Sequence, residues 1–409
     1  MTGLTPMLLA GVYVLLGRWL VAWRDPRREL PFALLNLGLV YLVFFGHGNP
    51  LWFGIYLALV GAQYLTLRLW SGREGRLPWL AFLTPLLFLA VVRYLPPEAL
   101  AGVSARFREK LQSEPDYSWS GHFIGLSYMA FRTSYLVLEI RNGLVPRPGF
   151  WTYLGFAFFA PTFSVGPISP FSLHRQGLVA DLGADLPAGR AALRVLVGAV
   201  KYLFLAPVLN QLTYQGMLLD GYHHRWTELP VAAVAYYLYL YCNFSGFCDI
   251  AIGGAGLMKL KVAENFDNPL IARNLKDFWN RWHITLSHYM RDVVFSPLSK
   301  SLVGGWGPAR SNHAIAVAIF VVFLLVGVWH GVGWNYVAFG ALHAVGLVAN
   351  HYYTIALKRR LGKTGFAAYN QNRAIHVAAV ALTFSYNTVC LCLFANDWET
   401  LKTLFRALE

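Results

Sequence analysis

The sequence predicts an all-α protein that crosses a membrane many times, and both composition and hydropathy indicate this class. Of the 409 residues, 56% are hydrophobic and only 13% are charged, whereas about a quarter of the residues are charged in an ordinary soluble domain. Apolar runs of about 20 residues, the length that a helix needs to cross a hydrocarbon core of roughly 30 Å, recur along the whole chain. Because no long linker separates these runs, we expect a single domain over residues 1–409.

The apolar runs give the order of the predicted helices. They cover residues 7–23, 31–47, 51–67, 78–95, 121–138, 149–170, 191–216, 228–257, 314–336, 337–356 and 375–395. The first and third connecting loops are rich in arginine, and the second contains neither lysine nor arginine. The positive-inside rule therefore places the first and third loops in the cytoplasm and the N-terminus outside.

Counting every run as a full crossing creates a conflict, because the basic segment 259–283 would then face the outside. The run 149–170 is the best candidate for a segment that does not cross. It ends in FAPTFSVGPISP, and its prolines break a helix. Broken backbone at membrane depth is tolerated only where protein or a water-filled cavity covers it. We therefore predict that 149–170 is re-entrant, that residues 171–190 are cytoplasmic, and that a cavity lies nearby.

The net charge of +14 has two interpretations. In a soluble protein it would suggest nucleic-acid binding, but lysine and arginine also accumulate in the cytoplasmic loops of membrane proteins. We therefore expect no nucleic-acid partner. The cysteines lack the paired CxxC spacing of a zinc site, so we expect buried free thiols and no metal ion; they are Cys242, Cys248, Cys390 and Cys392.

The stretch NLKDFWNRWHITLSHYMRD, residues 274–292, interrupts the apolar pattern with charges and histidines. Its apolar residues recur at spacings of three and four, which predicts one amphipathic helix lying in the membrane interface. On that interpretation His283 is simply a residue of the polar face. The apolar face would consist of Leu275, Phe278, Trp279, Trp282, Leu286 and Tyr289.

His330 and Asp249 are ionisable residues within apolar runs, where such groups are costly and by default indicate function. His330 occurs in VGVWHGVGWN, among glycines that let another helix or a ligand approach closely. Asp249 occurs in NFSGFCDIAIGG. For Asp249, a structural role as the partner of an arginine or of a helix terminus competes with a catalytic role.

The run ENFDNPLIARNLKDFWNRWHITLSHYMRDVVFSPL, followed by VGVWHGVGWNYVAFGALHAVGL, resembles the membrane-bound O-acyltransferase family. It is most similar to the bacterial branch of teichoic-acid D-alanyl transferases and alginate O-acetylases. GLSYMAFRTSYLVLEIRNG and PTFSVGPISP fit the same branch, so the signature region covers about residues 120–350. The resemblance implies a ring of about ten to eleven transmembrane helices, with re-entrant and amphipathic helices, around a central tunnel.

The resemblance also implies the site residues. His330 and His283 are expected to be catalytic, with His330 as general base and His283 steadying the thioester carbonyl or positioning the pantetheine arm. We expect His283 near the inner mouth and His330 nearer the acceptor, so that they mark two ends of one path. Supporting residues along the tunnel would be Asn280, Trp279, Trp282, Ser287, Arg291, Trp329 and Asn335. A basic surface for donor docking would include Lys261, Arg273 and Lys276.

The implied donor is a phosphopantetheine thioester on a cytoplasmic acyl carrier protein, or an acetyl donor, and no cofactor is expected to stay bound. The implied acceptor is a hydroxyl of an extracytoplasmic polymer, or a relay protein, and membrane lipid surrounds the chain in the bacterial cytoplasmic membrane. D-alanyl transfer to a cell-envelope polymer is slightly favoured, because SYMAFR, PTFSVGPI and DFWNRWH fit the D-alanyl transferases. NFSGFCDIAIG fits the acetylases, which keeps O-acetyl transfer to an exported polysaccharide open.

Two other classes of protein remain as alternatives. A transporter would show similar broken helices and buried ionisable groups, but we find no repeated pair of Gly/Pro-broken halves. A structural membrane subunit would have no use for His330.

Overall fold

The computed structural model describes residues 4–45, 50–70, 78–94, 124–179, 187–219, 222–331 and 333–408. These residues are predominantly helical, and they include one isolated β-bridge between Phe266 and Trp282. The α-helices are α1 (Leu4–Ala22), α2 (Glu29–Val40), α3 (Pro50–Leu69), α4 (Trp79–Tyr94), α5 (Leu126–Arg141), α6 (Phe150–Ala157), α7 (Phe171–Val179), α8 (Ala188–Ala199), α9 (Ala206–Asn210), α10 (Glu228–Leu257), α11 (Leu275–Arg281), α12 (Ile284–Met290), α13 (Ser296–Trp306), α14 (Ser311–His330), α15 (Trp334–Gln371), α16 (Arg373–Ala395) and α17 (Trp398–Leu408).

Several of these helices continue into π-helical turns, which join neighbouring elements without a loop. One such segment, Val200–Leu205, links α8 to α9, and another, Arg291–Phe295, links α12 to α13. Gly362 has a positive φ of 64° and divides α15 into two helices. Gly362 carries no Cβ, so it adopts this conformation without steric cost.

Five helical stretches within the described residues are long and apolar enough to cross a membrane. This finding confirms the predicted class, an all-α polytopic membrane protein. The stretches are Pro26–Phe45, Ala188–Leu218, Glu228–Leu257, Pro308–His330 and Arg373–Ala395.

Ten to eleven membrane crossings were predicted, and five helical stretches of the described residues have the length and the apolar composition to cross. One reason for the difference is that α5 carries buried Arg132 and Glu139, which lower its hydropathy. The ring around a central tunnel stays a prediction. Residues 96–120, which connect the predicted runs 78–95 and 121–138, lie outside the described residues, as do two of the arginines of the third loop and residues 180–186.

The chain forms two compact units that interleave along the sequence. The first contains residues 1–198 and 247–263, and the second contains residues 199–246 and 264–409. Helix α10 contributes its first part to the second unit and its last part to the first. The prediction of one acyltransferase domain over the whole chain stays a prediction.

In the first unit, the run 149–170 is broken as the sequence predicted. Helix α6 has eight residues and ends at Ala157, and up to Pro170 only a short 3-10 turn follows. A helix of that length extends about 12 Å, which is less than half of the hydrocarbon core. The run is therefore too short in helix to cross by itself.

Two buried charged side chains of α5 bind this irregular backbone. Arg132 donates to Thr162 Oγ1 at 2.7 Å and to the carbonyl oxygen of Ala157 at 3.2 Å. Glu139 accepts from the backbone N–H groups of the first two residues of α7, at 2.7 and 3.1 Å. These bonds replace some of the ladder that the segment lacks, which explains why a membrane protein keeps both charges in SYMAFRTSYLVLEIRNG.

Asp249 has a structural partner in the same unit. Its carboxylate accepts from Arg194 Nε at 3.0 Å, joining the end of α10 to α8. Of the two roles that the sequence left open, the ion pair with an arginine is the one observed.

In the second unit, two glycines bring α14 and α15 into close contact. A Cβ placed on Gly327 would lie 3.0 Å from Gly340 Cα and 2.4 Å from the carbonyl oxygen of Tyr336. A Cβ on Gly340 would lie 2.5 Å from the carbonyl oxygen of Phe323. Any side chain at either position would push the helices apart. This crossing lies one turn before His330 and fixes the end of α14.

Candidate active site

The stretch 274–292 is not the single amphipathic helix that its spacing predicts. Helix α11 ends at Arg281, α12 begins at Ile284, and His283 between them has φ 45° and ψ 51°. This left-handed conformation is unfavourable for a residue with a Cβ, by about 1–2 kcal/mol, so the surrounding contacts must hold it. The apolar residues on the two sides of the break still recur at spacings of three and four, so the sequence pattern gives no sign of the break.

The apolar face of this stretch is buried in protein rather than lying in a membrane interface. All six of its residues are buried. Trp282 packs against Phe278 and Phe266, with ring centroids 5.6 and 5.1 Å apart, and the β-bridge pairs its backbone with that of Phe266. The second part of the prediction, an interfacial position, is therefore also wrong.

Asn265 is the centre of the hydrogen bonds that hold the break. Its side-chain oxygen lies 3.1 Å from His283 Nδ1, 3.2 Å from Thr285 N and 2.8 Å from Thr285 Oγ1. Its backbone oxygen accepts from the N–H of Ile284 at 3.0 Å. Asn265 is fully buried, and His283 is only 3% exposed. One amide side chain thus fixes both the backbone turn and the imidazole orientation.

This arrangement assigns the tautomer of His283. A backbone N–H can only donate, so the Asn265 atom that meets Thr285 N is the carbonyl oxygen. Nδ1 of His283 must then carry the hydrogen, and Nε2 of the neutral ring has a lone pair. Burial, with a smaller contribution from nearby His330, lowers the pKa of His283 below its usual value. His283 is therefore neutral at physiological pH, and its Nε2 can accept a proton or a hydrogen bond.

Trp329 brings the two predicted catalytic histidines to one place. Its ring centroid lies 6.2 Å from that of His283 and 4.5 Å from that of His330. Phe244 of α10 contacts His283 edge-on at 4.8 Å. Both imidazoles thus lie beside the same indole ring. The prediction that His283 lies near the inner mouth and His330 nearer the acceptor stays a prediction.

His330 is the last residue of α14, and its ring is partly exposed. It stands edge-on to Phe394 of α16 at 4.9 Å and to Phe339 of α15 at 5.8 Å. Carbonyl groups at a helix C-terminus favour a positive charge. This position therefore suits a histidine that must take up a proton during a reaction.

His343 is a third histidine at this site, and sequence reasoning missed it. It is buried, and its Nδ1 accepts from Trp279 Nε1 at 3.2 Å. The indole N–H is a donor only, so Nδ1 of His343 is unprotonated, the reverse of His283. The ring lies 4.6 Å from Phe339, which also contacts His330. The sequence ALHAVGL places a histidine in an apolar run and could have signalled it.

The structure assigns local roles to several predicted supporting residues. Trp279 donates a hydrogen bond to His343. Trp282, the residue before the break, packs against Phe266 and Phe278. Ser287 follows His283 by one helical turn, and its buried hydroxyl has no hydrogen-bond partner among the described residues. Asn335 donates to the carbonyl oxygen of Phe394 at 3.4 Å, beside His330. Trp279 thus contacts a histidine of the group directly, and Asn335 contacts a residue that packs against one.

Two other predicted supporting residues lie on the surface. Arg291 is exposed and pairs with neighbouring Asp292 at 2.8 Å. Asn280 is exposed, and together with Arg273 and Lys276 it lines a cavity of about 340 Å³. This cavity lies between α11 and the facing parts of α15 and α16. It brings together two of the three residues predicted for donor docking, whereas Lys261 belongs to the other compact unit.

Metal ligands are not clustered in the described part of the chain, where no group of three or more His, Cys, Asp or Glu residues could hold an ion. The four cysteines are free, two buried and two partly buried. The imidazoles of the histidine group can transfer protons and form hydrogen bonds.

Comparison with known proteins identifies the family. The sequence model described as MBOAT, membrane-bound O-acyltransferase family, matches residues 68–393. The chain belongs to the membrane-bound O-acyltransferase family. The match extends beyond the predicted signature region at both ends and includes every predicted site residue. Membership makes the chain an acyltransferase, as predicted.

Individual members of the family show where the chain stands within it. It is 32% identical over 308 residues to the teichoic acid D-alanyltransferase of Streptococcus thermophilus, covering 69% of this chain and 71% of that protein. It is 29% identical over 272 residues to the enzyme of the same name from Bacillus subtilis, covering 64% and 66%. It is 30% identical over 246 residues to the probable alginate O-acetylase of Pseudomonas aeruginosa, covering 58% of this chain and 43% of that protein.

Proposed function

We propose that this acyltransferase moves an acyl group from a cytoplasmic thioester donor to a hydroxyl of a cell-envelope polymer outside the membrane. D-alanyl is the first candidate for the acyl group. The observation that carries the proposal is the convergence of His283 and His330 on Trp329. Similarity to two teichoic acid D-alanyltransferases supports the acyl group. O-acetyl transfer to an exported polysaccharide is the second candidate, supported by the probable alginate O-acetylase.

His330 acts as the general base. It accepts the proton of the acceptor hydroxyl while the hydroxyl oxygen attacks the thioester carbonyl carbon. The new C–O bond forms, the C–S bond breaks, and the thiolate that leaves receives the proton from His330. The C-terminal carbonyl groups of α14 stabilise the imidazolium that forms in between.

His283 positions the donor rather than stabilising the carbonyl oxygen. Of the two roles predicted for it, carbonyl stabilisation needs an N–H directed at the substrate, and Asn265 already receives the single N–H of the neutral ring. Its Nε2 lone pair suits the second role, because it can accept from an amide N–H of a pantetheine arm. The buried hydroxyl of Ser287, one turn further along α12, supplies the donor that steadies the carbonyl oxygen as charge develops.

The decisive experiment is a thioester-consumption assay with the purified full chain in lipid nanodiscs. D-alanyl carrier protein and an acetyl thioester are compared as donors, with a polyol phosphate polymer or a polysaccharide as acceptor. We expect donor consumption to depend on acceptor, with D-alanyl preferred over acetyl. A higher rate with acetyl would select the second candidate, and no consumption with either donor would reject both proposed acyl groups.

The donor side should be sensitive to charge at the 340 Å³ cavity. We expect Arg273→Glu and Lys276→Glu to raise the KM for an acidic carrier protein about tenfold, because each reverses an exposed charge on its docking surface. Turnover of a small thioester analogue should stay unchanged. The effect should weaken as ionic strength rises, since exposed charges are screened beyond about 8–10 Å near physiological salt.

The matched control is Lys300→Glu, which reverses an exposed charge of α13 away from that cavity. It should leave both donors unaffected. Equal losses with carrier protein and with the small analogue would mean that Arg273 and Lys276 stabilise the fold, and the docking surface would be abandoned.

A further inference from the structure

The first compact unit contains a cavity of about 280 Å³ that the acyl-transfer chemistry does not use. It lies where the start of α2, the turn before α6 and the end of α7 meet. Its polar lining includes Arg28, Arg147, Arg175, Glu29 and Thr152. With three guanidinium groups against one carboxylate, the cavity is strongly basic.

Backbone hydrogen bonds fix the position of Arg28 in the lining of the cavity. Arg28 donates to the carbonyl oxygen of Val21 at 2.8 Å and to that of Leu178 at the end of α7. These contacts orient the guanidinium group without using a carboxylate, so its positive charge is retained at the cavity.

The other two arginines are available to a ligand. Arg147 and Arg175 are exposed, and neither forms an ion pair with a described residue. Among the described residues, Arg147 donates only to the carbonyl oxygen of Arg68, at 3.4 Å. Two forked donors and the hydroxyl of Thr152 can therefore turn to a group with several acceptor oxygens, for which guanidinium geometry is well suited.

The position of the cavity indicates where the ligand comes from. Arg28 lies in the first loop, and Arg68 lies in the last turn of α3, next to the third loop. The positive-inside rule assigns both loops to the cytoplasm. Next to the lining, Phe150 and Trp151 are 38% and 39% exposed, and Val179, which lines it, is 61% exposed. Aromatic residues of this kind concentrate at the membrane–water interface, and the cytoplasmic leaflet carries the anionic lipids.

We propose that this cavity binds the phosphate headgroup of an anionic phospholipid of the cytoplasmic leaflet. Arg147, Arg175 and Thr152 donate to the phosphate oxygens, and Arg28 contributes a fixed charge. Glu29 accepts from a headgroup hydroxyl, and the acyl chains run along the exposed apolar residues beside α6 and α7. A volume of about 280 Å³ accommodates a lipid headgroup.

The test measures the thermal unfolding midpoint of the purified full chain in neutral detergent. The probes are short-chain phosphatidylglycerol, short-chain phosphatidylcholine and inorganic phosphate at matched ionic strength. We expect saturable stabilisation by phosphatidylglycerol. Arg147→Gln and Arg175→Gln should each weaken its apparent affinity about fivefold, and the double variant about 30-fold, as expected for loss of one and two basic residues near an anionic lipid.

The matched control is Arg27→Gln, which removes a charge next to Arg28. The side chain of Arg27 is 86% exposed and does not line the cavity. It should bind phosphatidylglycerol as the native protein does. Equal stabilisation by phosphatidylcholine, or by inorganic phosphate alone, would overturn the assignment to an anionic lipid. An unchanged phosphatidylglycerol affinity in the double variant, with its unfolding midpoint in the absence of lipid also unchanged, would overturn the site.

Discussion

His330→Ala is expected to lower the rate of acyl transfer by about 10²–10⁴-fold, the range that a positioned general base contributes. The loss should fall on turnover rather than on donor affinity, because the proposed role of His330 is at the acceptor hydroxyl. Helix content and unfolding temperature should stay near those of the native protein, since the ring is partly exposed at the end of α14. Single-turnover thioester consumption and circular dichroism measure both.

The same helix provides the control. His313, an exposed histidine near the beginning of α14, bonds to Tyr352 Oη at 2.7 Å. His313→Ala should leave acyl transfer within about twofold, because this side chain does not contact the histidine group. If His330→Ala retained more than about a tenth of the activity, the assignment of His330 as general base would be wrong.

The sequence was sufficient for the helices that are defined by apolar length. The predicted run 228–257 coincides with α10, and the proline-rich end of the run 149–170 correctly indicated that α6 stops early. It was insufficient for 274–292, because one left-handed residue changes the direction of the chain without disturbing the apolar spacing. Long-range bonds to Asn265 help to stabilise that residue, and such bonds leave no periodic signal.

The candidate site was predicted in its main residues and missed in its supports. His283 and His330 came from a resemblance to known enzymes, but their closeness follows from the break and from Trp329. Asn265 and His343 were within the quoted motifs, yet an asparagine before a phenylalanine and a histidine in a helix have many structural uses. Their roles became evident only from the donors and acceptors around them. Of the docking residues, Arg273 and Lys276 share a cavity, a proximity that loop charge alone did not establish.

The tautomer of His283 leads to the second large effect. In the native protein, burial lowers the pKa of His283, so the ring stays neutral over the usual assay range and keeps its Nε2 lone pair. Asn265→Asp keeps an oxygen that accepts from Nδ1 but adds a negative charge, which favours the protonated ring and raises its pKa. Once protonated, Nε2 carries a hydrogen and can no longer accept from the donor amide.

We therefore expect Asn265→Asp to transfer acyl groups best at alkaline pH and to lose activity as the pH falls through the raised pKa of His283. Below that pKa the rate relative to the native protein should fall about tenfold per pH unit, and the KM for donor should rise. Thr285→Val, which removes the 2.8 Å bond but not the histidine bond, should keep the native pH profile. A uniform, pH-independent loss in Asn265→Asp would show that Asn265 supports only the backbone turn, and the positioning role of His283 through its Nε2 lone pair would be rejected.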